Sequence, residues 1–491
     1  MSMASHALLL VAIILLSSPV VLATCACHDI AKLLPGRVFL PDSSEYKTSI
    51  SSYFFLNSRQ SPKCIVAPTI ADEVAKIVKK LSVREKKQVA IRSGGHTPNP
   101  GFANTDSGIT LDLRGLNKIT LQGPSADVVS VGTGTLWRDI YATLDPVNRT
   151  VVGARVASVG VGGFLTGGGL SFFSPKYGFG CDNVVNMEVV LANGTIVSAN
   201  ATSHPDLFRA LKGGQGNFGI VTRFDLITHS QSEYWGGAIQ YAASADAAQL
   251  SAFESFKAAS YDGSAEIEQT FVYFGALKTF SSTNNMFYMK PVANASALKM
   301  FADIQPQTTN TMRISNTSAF AEEIEMFQPK DQFATYATLS FRMGPGILPK
   351  IYKQWKDATT SLSAKVPNVT SVLTFQDIPP PPAANAPGNS FPFAPDSTPH
   401  KDDVLVLFSF YWPHKQEYEL VESTIKGLTG SAQKLVGDRV KFKYLNYAAA
   451  WQDPIGSYGD EMNKMLVRVA KSYDPSGFFQ KVVTGGFKLS M

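Results

Sequence analysis

"RSGGHTPNPGFANTDSGITLDLRGLNKI", residues 92–119, ends an apolar run with two glycines and a lone histidine, and what that histidine does governs the reading of the whole chain. Paired glycines allow a tight turn, so Ser93, Gly94, Gly95, His96 and Thr97 read as a turn leaving a strand. An imidazole placed there is a ligand, a base, an attachment point, or a ring hydrogen-bonded to its own turn. A metal ligand needs partners, and His28, His204, His229, His400 and His414 are scattered without ligand spacing, so no metal is expected. No G-x-S-x-G elbow is present, which removes the serine-hydrolase reading.

Working outward, "CIVAPTIADEVAKIVKKLSVREKKQVAIRSGGH" (64–96) predicts a strand, a helix with Val74, Ile77, Val78 and Leu81 on one face, and a second strand. "GITLDLRGLNKITL" (108–121) alternates Ile109, Leu111 and Leu113 with polar neighbours, which predicts a half-buried strand. "VVNMEVVLANGTIVSAN" (184–200) predicts a hairpin turning at Asn193-Gly194. After about residue 232 the pattern changes. Strands such as "AEIEQTFVYFGA", "ATYATLSFRM" and "VLVLFSFYW" alternate with amphipathic helices such as "LPKIYKQWKDATTSL", which predicts an α+β layer of helices over a sheet. The polyproline stretch "PPPPAANAPGNSFPFAP" (379–395) reads as a surface excursion.

The totals bound the function. The 491 residues are 44% hydrophobic and 17% charged, which suits a large folded core rather than disorder. A net charge of +5, with no run of five or six basic residues, leaves no footprint for nucleic acid or an anionic membrane surface. At the start, an apolar core from Leu8 to Leu16 precedes small residues, with Val21 and Ala23 three and one positions before a cleavage point. Residues 1–23 are therefore expected to be a signal peptide, and the protein to be secreted. Sequons at Asn148, Asn193, Asn200, Asn294, Asn316 and Asn368 agree with that route. In an oxidising compartment Cys64 is expected to bridge to Cys25 or Cys27, leaving Cys181 as a buried free thiol.

Glycine is dense in "SVGVGGFLTGGGLSFFSPKYGFGCDN" (158–183) and "LKGGQGNFGIVT" (211–222). Neither stretch carries the Lys-Ser/Thr of a P-loop, and no G-x-G-x-x-G follows a strand. Backbone N–H groups bare of Cβ atoms can instead converge on a pyrophosphate as a nest, so a dinucleotide is expected.

Residues 92–119, the two glycine stretches with "DLFRALKGGQGNFGIVTRFDL", and the C-terminal "YLNY" and "YDPSGFF" together resemble one family, in order and over nearly all of the mature chain. That family is the berberine-bridge-enzyme-like branch of the vanillyl-alcohol-oxidase/p-cresol-methylhydroxylase (PCMH) flavoproteins. The resemblance implies a two-part PCMH-type FAD-binding domain, from residues 24–231 and a returning segment 441–491, around an α+β substrate domain at 232–440 with helices over an antiparallel sheet. It implies that His96 is bonded covalently to the flavin 8α-methyl. It places the cofactor along Ser93, Gly94, Gly95, Thr97, Gly160, Gly163, Gly167, Gly168, Asp182, Gly214, Gly219, Ile220 and Val221, with Asn446 and Tyr447 returning to the ring. Val156 stands where doubly linked members carry a cysteine, so a single link is expected.

Oxidation by a flavin needs hydride transfer and a base for the accompanying proton. The strand "VLVLFSFYW", where relatives carry Glu or Gln, is apolar until Ser409 and Tyr411. Tyr444, then Tyr447, are the candidate bases, provided a neighbouring cation or the flavin lowers the phenol pKa from about 10. Gln376 and Asp377 are candidate pocket residues. The expected substrate is a small, apolar secondary metabolite, with dioxygen as electron acceptor. A carbohydrate oxidase, an oxygen-avoiding dehydrogenase and a non-redox flavoprotein are the alternatives.

Overall fold

The structure, a computed structural model, describes residues 19–82, 89–381, 388–393, 402–437 and 442–490, with side chains from residue 26 onward. The apolar leader at 8–16 and the side chain of Cys25 lie outside what is described.

Helices and three main sheets make the expected α+β fold. The first sheet orders Val38–Phe39, Cys64–Val66, Ile109–Asp112 and Val89–Arg92, its last three strands parallel. Helix Ala71–Leu81 covers it and buries Val74, Ile77, Val78 and Leu81, whose spacing of three and four gathers them on one face. The strand Ile109–Asp112 differs from expectation, being buried at all four positions. It is a central parallel strand, so its polar side chains are satisfied internally. Thr110 donates to Asn104 Oδ1 at 2.6 Å, and Asp112 accepts from Ser49 Oγ at 2.8 Å and from Arg114.

The second sheet is antiparallel and contains the hairpin Val184–Val190 and Ile196–Asn200, with Gly194 at φ +80° in its turn. The bridge from Cys64 goes to Cys27, with Cα atoms 6.1 Å apart, and ties the helix Pro19–Leu33 to the first sheet. Cys181 is free and buried, and burial raises its thiol pKa, so it stays protonated and inert.

The third sheet has eight antiparallel strands and two faces of different character. Ile267, Phe271, Leu373, Phe375, Phe408 and Phe410 pack on one face with Trp355 of helix Ile347–Ser363, and each large side chain fully buried this way contributes about 1.5–3 kcal/mol. The alternate residues of the same strands face a cavity. The end of the chain returns to the first sheet. Val483 bridges Val89, and Asn217 Nδ2 donates to Phe487 O at 2.8 Å.

Candidate active site

A cavity of about 720 Å³ runs between the glycine turns, the returning C-terminal segment and the open face of the large sheet. Two glycine turns form its floor by close backbone approach. A Cβ on Gly94 would fall 2.6 Å from Gly160 N, and one on Gly160 would fall 2.3 Å from Gly94 N, so no other residue fits either place. Ser93 joins the turns, donating to Thr133 O at 2.7 Å and accepting from Gly162 N at 3.1 Å. A Cβ on Gly163, by contrast, would meet nothing within 4 Å, so at this lining residue the backbone stands bare toward open space.

His96 lines the same cavity, stacked on Phe54 at 4.1 Å, with Phe55 edge-on. Burial depresses its pKa to about 4, so the ring is a neutral nucleophile near pH 7.

Ser93, Gly94, Gly95, His96, Thr97, Gly160, Gly163, Gly219, Ile220, Val221, Tyr444, Asn446 and Tyr447 all line this one space. Gly167, Gly168, Gly214 and Asp182 do not; they build the wall behind it. A Cβ on Gly167 would lie 2.0 Å from Asn446 Oδ1, and one on Gly168 would lie 3.1 Å from Tyr444, so both glycines admit the C-terminal loop. A Cβ on Gly214 would strike Ala210 O at 2.4 Å. Asp182 is held by Phe179 N at 3.0 Å and Asn389 Nδ2 at 2.8 Å, its pKa raised by burial against the pull of Lys212.

The two candidate bases have different settings. The Tyr444 hydroxyl accepts from Gly169 N at 2.9 Å and Asn446 Nδ2 at 3.2 Å, which fixes the loop, and burial raises its pKa. Tyr447 sits beside a buried cation: Arg155 Nη2 lies 3.0 Å from its hydroxyl, 2.6 Å from Gln376 Oε1 and 3.0 Å from Glu268 Oε1. Burial raises the Tyr447 pKa, and Arg155 offsets only part of that rise, so the hydroxyl stays above the ordinary phenol value.

Arg155 Nη1 also donates to Glu266 Oε1 at 2.6 Å. One cation thus faces two carboxyl groups, and they divide the work. Burial pushes Glu266 up to about 8, against the pull of Arg155, so near neutral pH it is a neutral acid accepting a hydrogen bond. Glu268 is the counter-ion. Desolvation works against the guanidinium charge, but Glu268 and Tyr447 outweigh it, so Arg155 stays protonated. Because an arginine only donates, it fixes the Gln376 amide with oxygen toward Nη2, and the buried Nε2 then has no partner among the described residues.

Sequence reading missed Arg155, Glu266 and Glu268. The available signal was a pair of carboxylates at alternate positions in "AEIEQTFVYF", a strand otherwise rich in apolar residues. The apolar strand Asp403–Trp412 supplies Ser409 and Tyr411 to the cavity, and Tyr411 bonds Tyr336 at 3.1 Å. The carboxylate comes from Ala265–Phe274 instead, two strands away in the same sheet.

Residues 62–200 match a family described as an FAD binding domain. The chain is 33% identical over 480 residues to the FAD-dependent monooxygenase drtC of Aspergillus calidoustus, covering 95% of this chain and 90% of that one. The fold superposes on Physcomitrella patens BBE-like 1 with a TM-score of 0.74 at 19% identity, over 95% of this chain and 99% of that one. It superposes on the carbohydrate oxidase of Microdochium nivale with a TM-score of 0.75 at 20% identity, over 95% and 100% of the two chains.

Proposed function

Because this chain belongs to the berberine-bridge-enzyme-like FAD-linked oxidoreductases of the vanillyl-alcohol-oxidase/PCMH superfamily, we propose that it is a secreted oxidase of a small, largely apolar organic molecule, with FAD joined to His96 by a single bond and dioxygen as electron acceptor. The observation that carries this reading is one cavity holding a neutral imidazole, a bare glycine backbone and a cation-backed tyrosine.

These residues fit the cofactor. Gly163 presents backbone with no side chain to block a pyrophosphate, the close approach of Gly94 and Gly160 builds the floor beside it, and His96 offers a nitrogen lone pair for the tether. A flavin held there would supply the hydride acceptor for the carbon being oxidised. Tyr447, its hydroxyl 3.0 Å from Arg155 Nη2, is placed to take the proton that accompanies the hydride, with Arg155 offsetting part of the burial that raises its pKa. Tyr444, Asn446, Gly167 and Gly168 hold the loop that presents it. Val156, where a second linkage would need sulfur, lines the cavity with an aliphatic side chain.

Secretion is supported by the Cys27–Cys64 disulfide and by sequon asparagines exposed at Asn148, Asn193, Asn294 and Asn368. Asn200 and Asn316 are half-buried, with amide oxygens that accept from Ser203 N and Ala319 N.

The experiment is acid precipitation of the purified protein. A yellow pellet supports covalent flavin, and His96→Ala should move the colour to the supernatant. A colourless protein, or a His96→Ala pellet as yellow as the parent, refutes the reading. The name borne by the Aspergillus relative favours a second reading, in which one atom of dioxygen enters the product. Isotopically labelled dioxygen separates the two: label in peroxide supports the oxidase, label in product the monooxygenase.

A further inference from the structure

The register of the large sheet arranges its cavity face in rows across the strands. In the first row Ala238, Asn285, Glu268 and Gln376 are neighbours, with Arg155 and Tyr447 above them. The second holds Gln240, Thr283, Thr270 and Thr374, the hydroxyls of Thr270 and Thr374 bonded to each other at 3.0 Å. The third sets Val272 beside Val372, flanked by Ser281 and Ser409, and the fourth brings Phe274, Thr370 and Tyr411 together. Successive rows lie two residues apart, so the face runs from charged through hydroxylic to apolar and aromatic over roughly 20 Å. Phe327, a half-exposed ring, lines the cavity too.

Within the first row the two carboxyl groups differ in access. Glu268 is 13% exposed and lines the cavity, whereas Glu266 is 6% exposed and turned to the far side of Arg155. Glu268 spends one oxygen on Arg155, and its Oε2 has only a long contact of 3.4 Å from Asn285 Nδ2. A carboxylate has about four lone-pair sites, so it retains capacity to accept.

We propose that this graded face orients the substrate end for end: a hydroxyl beside the reacting carbon donates to Glu268, and an elongated apolar body lies along Val272, Val372 and Phe274. Glu268 is then the residue that selects a hydroxylated head, and the valine row selects a hydrocarbon tail. An oligosaccharide fits less well than a hydrocarbon tail, because hydroxyls laid over the two valine side chains would lose water, with the Ser409 hydroxyl beside Val372 as a single nearby partner in that row's cavity lining. The inference rests on the reading of this cavity as the oxidoreductase site.

The test titrates holoenzyme, without oxygen, with phenol and its 4-ethyl, 4-butyl and 4-hexyl derivatives, with 4-butylanisole, and with cellobiose, following the flavin absorbance. Each methylene should tighten binding by about fourfold until the row is filled. Glu268→Gln should weaken every phenol by a common factor of about ten or more and leave the anisole and the chain-length slope unchanged. Val272→Thr should flatten the slope and leave phenol itself unaltered. A flat chain-length series, a Glu268→Gln effect no larger on phenols than on the anisole, or tighter binding of cellobiose than of 4-butylphenol would overturn the inference. The same titrations by calorimetry report on the face in protein without flavin, so failure of flavin binding refutes the oxidoreductase reading separately.

Discussion

Replacing Arg155 by methionine removes the charge at the centre of the site while keeping a side chain of similar reach. In the native protein this guanidinium is 6% exposed and satisfies Glu268, Glu266, Gln376 and Tyr447 at 2.6–3.0 Å. Breaking a buried ion pair by removing one partner costs about 3–5 kcal/mol, because the remaining charge stays buried without compensation. Glu266 is held neutral by burial up to about pH 8, so near neutrality the cost falls on Glu268. Three consequences follow for denaturant unfolding monitored by tryptophan fluorescence. Arg155→Met should lose about 3–5 kcal/mol near pH 7. The loss should grow above about pH 8, as Glu266 ionises. In a Glu268→Gln background most of the loss should vanish, since no charge is then stranded. Equal losses in the two backgrounds, additive within about 0.5 kcal/mol, would refute the account of Arg155 as counter-ion.

Other outcomes are equally specific. Tyr447→Phe should slow anaerobic flavin reduction by about 10²–10⁴-fold, the usual worth of a positioned base, whereas Tyr444→Phe should mainly destabilise the loop it bonds; the reverse ranking would exchange their roles. Ionisation of Glu266 adds a second negative charge beside Arg155 and weakens its pull on the Tyr447 hydroxyl, so the rate should fall above about pH 8 and Glu266→Gln should remove that limb. The same raised pKa contributes stability fully present below about 4.5 and lost as pH rises through about 8, visible as a matching slope in unfolding free energy. Gly163→Val should lower the flavin content of otherwise folded protein, because its new side chain enters open cavity space; full flavin loading would show that the cradle lies elsewhere. Cys27→Ser should cost about 4 kcal/mol by freeing a loop of 37 residues, measured against the parent with and without reductant.

Much of the site was visible locally. The Ser93-Gly94-Gly95-His96 turn, the second glycine turn at Gly160 and the helix carrying Val74, Ile77, Val78 and Leu81 depend on neighbours a few residues away, and glycine content and apolar spacing report such neighbours directly. Tyr447 was legible as a candidate because "YLNY" is a compact motif, although nothing in it told Tyr447 from Tyr444.

By itself the sequence determined the α+β class, the turn that offers His96, the glycine-bare backbone and a bridge from Cys64 to one of two cysteines, of which the fold chose Cys27. Only the tertiary structure decided that Arg155 meets residues 111, 221 and 292 positions away, that Gln376 and Glu268 share a row, and that Gly167 and Asp182 stand behind the wall. The reason is one of range. Propensity and periodicity act over a single element, while the pairing of distant strands and the docking of the C-terminal segment choose which side chains face one another across the cavity.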